Sequence, residues 1–245
     1  MLNKVKRFTL LGLLVAGTTL AFTGCGTTSQ QNTQTAQAIA SWSETFDGAT
    51  TNFSVSAPPT HAVSMSQATT EMMLQLGLAD KMAGTAFKEE EIYEPLQGEY
   101  DKVKVLAEKW PSYEVFMSVK PDFATGWPDS FSKRAIPADK MIANKVNIWL
   151  PESMLSTKAD LETNFKDMIM LGKIFGVESK ANEWVKAQRD TLTKVQNQLK
   201  DVPRKRVFIY DSEDGQPFTA FEGYTTNILR LIGADNVMSR SEEHT

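Results

Sequence analysis

The chain has 245 residues, with 26 Lys and Arg against 30 Asp and Glu for a net charge of −4, and 41% of its residues are hydrophobic. That balance fits an ordinary globular protein and excludes a basic nucleic-acid-binding domain. A single cysteine excludes an internal disulfide or a clustered thiolate site, and two histidines, His61 and His244, are too few to build a site for a bare Zn or Mn ion.

At the front, a basic stretch ending at Arg7 leads into an apolar run from Phe8 to Phe22. The run is shorter than the roughly 20 residues a membrane span needs. The small residues Thr23, Gly24 and Cys25 close it, so residues 1–24 read as a secretory signal. Cys25 directly after Gly24 resembles the lipobox of bacterial lipoproteins, with Phe22 standing where Leu is usual. The resemblance implies that Cys25 becomes a lipidated N-terminus and that two or more acyl chains hold the protein to a bacterial membrane, outside the cytoplasm. Residues 25–57 are expected to be the lipidated cysteine and a polar tether. Residues 26–37 are almost without apolar side chains. The span Ser41 to Val55, with Trp42, Phe46 and Phe53, can form an opening strand or hairpin. Pro58 and Pro59 mark the start of the folded body.

Residues 58–177 alternate strand and helix signals. Ala62 to Met65 is strand-like, Thr69 to Leu76 helical, and Met82 to Thr85 and Lys102 to Leu106 are short strands. Tyr113 to Val119 gives a short helix, Lys120 to Gly126 a buried strand, and Val146 to Leu150 another. This rhythm predicts a mostly parallel α/β sheet covered by helices, with ligands at the carboxyl ends of the strands.

Residues 178–200 contain no Gly or Pro, lie between Gly176 and Pro203, and keep an apolar stripe of Trp184, Val185, Leu192, Val195 and Leu199. They predict one helix of roughly 34 Å. On each side of it the same order recurs: strand, polar loop, helix, then a glycine. His61 to Asp80 carries it upstream and Arg206 to Asp235 downstream. Two α/β lobes joined by a rigid spacer follow from that symmetry.

The run from His61 to Gly84, then Ser112 to Asp122, then Arg206 to Tyr210 with Pro217 to Thr219, resembles the substrate-binding proteins of ABC importers for iron chelates and cobalamin. The resemblance covers roughly residues 60 to 239, through the order and spacing of several motifs. It implies two Rossmann-like α/β lobes joined by a single long helix, with the ligand held in the cleft between them. It implies no enzyme activity and no intrinsic cofactor. The ligand would be a metal chelate, foremost an Fe(III)-siderophore, with cobalamin, haem or a deazaflavin precursor as alternatives. The partner would be a dimeric ABC permease, and the protein a monomer. Two other readings stand beside it: a secreted hydrolase using carboxylates, and a surface protein that captures a ligand without a transporter. No nucleophile elbow, P-loop or Cys with a partner His supports an enzyme.

A large conjugated chelate needs flat apolar surface with a few polar clamps. The loops after the strands offer Gln67, Thr69, Phe87, Lys109, Trp110, Trp127 and Phe131. By resemblance Trp127 is the best placed of these. Tyr210, Phe218 and Phe221 would form the opposite wall. Core packing is the alternative for each aromatic. Lys109, Lys133 and Arg134 are the cations available to an anionic ligand. By the same resemblance Glu114 docks on an arginine of the permease.

Residues 201–239 are expected to be only the start of the second lobe. A second docking glutamate would lie beyond Ser239. The segment 240–245 reads as what a sequencing adaptor would encode in frame. A truncated gene with a non-native tail is the resulting expectation, and unpaired sheet edges would then make the chain poorly stable.

Overall fold

The computed structural model describes residues 37–210, 212, 213, 215–219 and 222–239. The signal segment, Cys25, Phe221 and the segment 240–245 lie outside the described residues.

The described chain opens with a hairpin of β1 (Ala40–Phe46) and β2 (Ala49–Val55), paired antiparallel around Asp47 and Gly48. Residues drawn as tether up to 57 therefore include an ordered element. Trp42, Phe53 and Val55 are the reason: they pack into the apolar interior of the following lobe, and Trp42 donates its indole N–H to the carbonyl of Ile148 at 2.7 Å.

The lobe itself is built on β3 (Ala62–Ser64), β4 (Met82–Ala86), β5 (Val105–Ala107), β6 (Phe123–Thr125) and β7 (Asn147–Trp149). These form one five-stranded sheet in the order β5-β4-β3-β6-β7, every pair parallel. The crossovers carry α1 (Gln67–Gln75), α2 (Gln97–Tyr100), α3 (Tyr113–Ser118) and α4 (Ala138–Ala143), and α5 (Glu152–Leu155) and α6 (Leu161–Ile174) follow the last strand. The strand order turns back on itself between β3 and β6, so their carboxyl ends diverge into the crevice where sheets of this type hold ligands.

Side-chain alternation splits the interior into two layers. Ala62, Phe123 and Trp149 face the layer built with Met73, Leu76, Phe165 and Leu171. Val63, Ala124 and Ile148 face the other, with Phe116, Phe131, Ile136 and Met141. Both faces of the central strands β3 and β6 are buried, which is why they read as short apolar runs without a polar face. Ser66 and Ser112 cap α1 and α3 by accepting N–H bonds from Thr69 and Val115.

The next element is α7 (Glu178–Leu199), as the sequence predicts within one residue. It packs first against α6, burying Ala181 and Val185, and its later apolar residues Leu192, Val195 and Leu199 are half-covered. After it come β8 (Lys205–Val207), the short pair β9 (Ser212–Glu213) and β10 (Pro217–Phe218), α8 (Tyr224–Leu231) and β11 (Ala234–Asn236). β8 and β11 pair in parallel across α8, repeating the βαβ unit of β3, α1 and β4. The repeat extends to the helix ends, where Gly77 and Gly233 take φ of +70° and +83°. Arg204 secures this unit by a fork onto Asp235, with Nη2 to Oδ1 at 2.6 Å and Nε to Oδ1 at 2.9 Å.

Candidate functional site

The carboxyl ends of β3 and β4 are locked by hydroxyls. Thr70 Oγ1 donates or accepts within 2.8 Å of Ser64 Oγ and 2.6 Å of Thr85 Oγ1, and Ser64 Oγ lies 2.7 Å from Thr69 Oγ1. All four residues are buried. A satisfied buried network of this kind rigidifies the strand ends from which the site's loops depart. Thr69 belongs to it and is fully covered, so the expectation that it touches ligand is corrected: its hydroxyl points into the lobe.

Gln67, at the start of α1, is committed to the loop after β4. Its Oε1 accepts from the backbone N–H groups of Glu89 and Glu90 at 2.9 and 2.7 Å, and its Nε2 donates to Glu71 Oε1 at 2.9 Å. The side chain shapes the site by holding that loop. Phe87 sits in the same loop at φ +60° and stacks on Trp110, ring centres 4.8 Å apart and planes within 16°. Trp110 in turn donates its indole N–H to the carbonyl of Met65 at 3.2 Å. Trp127, following β6, donates to Glu89 Oε2 at 3.3 Å. The structure thus brings Gln67, Phe87, Trp110 and Trp127 to neighbouring strand ends.

Phe131 is placed elsewhere. It is 3% exposed and packs beside Phe46 in the interior, so it is a core residue and no part of a ligand wall. Lys109 is exposed. Arg134 is paired with Asp129 at 2.6 Å. Tyr210 and Phe218, 58% and 53% exposed, stand on the βαβ unit beyond α7.

The described residues enclose a groove of about 910 Å³. One side is α1, through Glu71, Met72 and Gln75, with Tyr93, Pro95 and Leu96 from the stretch after β4. The other is Asn164 and Met168 of α6, Trp184 and Gln188 of α7, and Ser153 and Met154 of α5. Trp127 and Tyr224 also line it. Of the described residues expected from the sequence, only Trp127 lines it. Trp184 stands edge-on to Phe165 at 6.1 Å, half-buried, with its remaining face on the groove. The volume suits a cofactor-sized molecule, and mixed aromatic, thioether and amide walls suit a ligand with flat apolar faces.

Beneath the groove, two buried carboxyls hold the segment that carries Ser153 and Met154. Glu44 accepts the N–H of Leu150 at 2.9 Å, and Asp167 accepts those of Glu152 and Ser153 at 2.8 and 2.9 Å. Burial pushes Glu44 up to about 7, the Leu150 hydrogen bond partly opposing it and the nearby Asp167 adding to it. Burial also raises Asp167, against the hydrogen bonds from Ser153 and Glu152. On a different surface, Glu114 is exposed in the first turn of α3, where its own backbone N–H and the Ser112 hydroxyl hold its carboxyl below the usual range.

A parallel sheet with an aromatic groove at its carboxyl ends, followed by a long helix and a second βαβ unit, is the framework of a two-lobed α/β binding protein. Residues 63–245 match the family model described as periplasmic binding protein, and the chain belongs to that family. It is 81% identical to a periplasmic binding protein of Veillonella parvula of known crystal structure, with a TM-score of 0.81 over 84% of this chain and 69% of that one. An uncharacterized ABC transporter substrate-binding lipoprotein of Bacillus subtilis, YvrC, is 26% identical over 230 residues, 91% of this chain and 70% of that protein. The fold also matches an ABC-type Fe3+-hydroxamate transport system structure from Saccharomonospora viridis, 18% identical, with a TM-score of 0.62 over 80% of this chain and 70% of that one. At that identity the likeness is one of fold.

Proposed function

We propose that this protein is the extracytoplasmic substrate-binding component of an ABC importer, capturing a metal chelate, foremost an Fe(III)-siderophore, and delivering it to a permease. The observation that carries the reading is the groove itself: a cofactor-sized concavity with Trp127, Trp184, Tyr93 and Tyr224 on its walls, at the carboxyl ends of a parallel sheet. The kinship with a substrate-binding lipoprotein of Bacillus subtilis supports both the transport role and a lipid anchor, for which Cys25 is the acceptor in this reading. Glu114, exposed and held ionised at the start of α3, is the docking residue.

The protein binds and releases without turnover. Titrating its tryptophan fluorescence with a ferric trihydroxamate, cyanocobalamin and haemin tests this, with mass spectrometry of the recovered ligand. Saturable quenching by one chelate, recovered unchanged, is expected. Failure of every chelate to quench, or chemical conversion of the ligand, overturns the reading.

A further inference from the structure

The groove's charge is one-sided. Among its described lining residues there is no Lys, Arg or His, and one carboxylate, Glu71. That carboxylate is fixed in place: Oε1 accepts from Gln67 Nε2 at 2.9 Å and from the Tyr93 N–H at 3.2 Å. Oε2 has no hydrogen-bond partner among the described residues. A second carboxylate, Glu89, lies at the rim on the Trp127 indole, in a loop that continues through Glu90 and Glu91.

Several cations near the groove are already engaged, and none of the neighbouring lysines is among its described lining residues. Lys88 pairs with Glu91 at 3.4 Å, Arg230 with Glu222 at 3.6 Å and Arg134 with Asp129, while Arg189 of α7 is forked onto Glu162 of α6. The aromatic walls act in the same direction, because the faces of Trp and Tyr attract positive charge. A polyanion entering this groove would leave water for carboxylate and π-faces with no cation to meet it.

We infer that the groove selects a ligand of net positive charge with flat apolar surface, accepts neutral ones less well and rejects polyanions, with Glu71 as the counter-charge. The inference rests on the reading of the groove as the chelate site and narrows it. A ferric trihydroxamate bearing a pendant ammonium is the class favoured. Trianionic ferric tris-catecholates and dicarboxylate haemin are the classes excluded.

The test is a fluorescence titration of the full chain with three gallium(III) or iron(III) complexes: a trihydroxamate with a free ammonium, the same ligand with that amine acetylated, and a tris-catecholate. The ammonium form is expected to bind about tenfold or more tighter than the catecholate. In Glu71→Gln, which keeps an acceptor for Gln67 and Tyr93, the ammonium form should lose about three- to fivefold more affinity than the acetylated form. Equal or tighter binding of the catecholate overturns the inference, as does a Glu71→Gln effect that ignores ligand charge. If Glu71→Gln does not fold, as judged by circular dichroism, the charge series on the unaltered protein decides alone. Two dyes separate this inference from the broader reading: cationic thioflavin T and anionic anilinonaphthalenesulfonate. Preference for thioflavin T with no chelate bound supports the charge rule and sinks the chelate reading, whereas preference for the anionic dye sinks the charge rule.

Discussion

Glu44 on the opening hairpin accepts the backbone N–H of Leu150 at 2.9 Å, a bond that spans 106 positions of sequence and is closed off from water. Its carboxyl is pushed up to about 7 by that burial. A folded-state value above the unfolded one means that the folded protein holds the proton more tightly, so the associated stability is complete below the unfolded value and is lost as pH rises through the folded one. Folding stability, followed as melting temperature, is therefore expected to fall between pH 4.5 and about 7, by on the order of 1–3 kcal/mol, with Asp167 contributing in the same sense. Glu44→Gln keeps the acceptor for Leu150 and removes one titration. Its profile over the same range should be visibly flatter, and an unaltered slope would count against this account.

Trp127 and Phe131, four positions apart, are expected to behave oppositely. Trp127→Ala should leave the melt within a few degrees of the parent and weaken chelate binding about tenfold or more. Phe131→Ala empties a site that is 3% exposed and should cost about 3–5 kcal/mol, lowering the melting temperature on the order of ten degrees. Thermal scans and fluorescence titrations on the two variants check this; a stability loss at Trp127 as large as at Phe131 would contradict it.

Gly172 of α6 faces the start of α7. A Cβ there would stand 2.6 Å from the Cβ of Ala181 and 3.3 Å from the backbone of Glu178. Ala in place of Gly within a helix gains about 1 kcal/mol, and forcing two helices apart costs about 1–3 kcal/mol. The second effect should win because backbone and a Cβ cannot rotate away. Gly172→Ala should melt a few degrees lower in calorimetry, and a raised melting temperature would show that the crossing yields.

Glu114→Arg should leave chelate binding unchanged and slow association with the permease about three- to tenfold, the loss shrinking at high salt. Surface-bound permease in detergent or nanodiscs provides the measurement. Unchanged association would remove Glu114 from the docking surface.

Most of the lobe was legible because a parallel strand buried on both faces leaves a compact apolar signature, as in Ala62 to Met65 and Phe123 to Gly126. The long helix was legible from its lack of Gly and Pro and its bracketing Gly176 and Pro203. The helix α6, by contrast, has no counterpart among the sequence expectations, although Asp160 caps it through Thr163. The groove was mostly illegible. Glu71, Gln75 and Gln188 look like solvated helix positions, and only the approach of α1 to α6 and α7 makes them walls. Trp127 and Phe131 flank one short turn, and nothing in their spacing tells which ring faces outward. Thr69 misleads because a hydroxyl at a strand end signals a ligand clamp and a buried network equally well.

The hairpin's attachment sets an order of events during synthesis. β1 and β2 are made first, yet the carbonyl of Ile148 and the N–H of Leu150 that fasten them arrive 106 residues later. Until then Trp42 and Phe53 have no interior to enter, and the hairpin must wait as a sticky, unfastened flap. Lobe completion is thus a long-range closure, and such closures are slow. A folding helper that recognises short aromatic β-segments would find its target here before any other part of the lobe has formed.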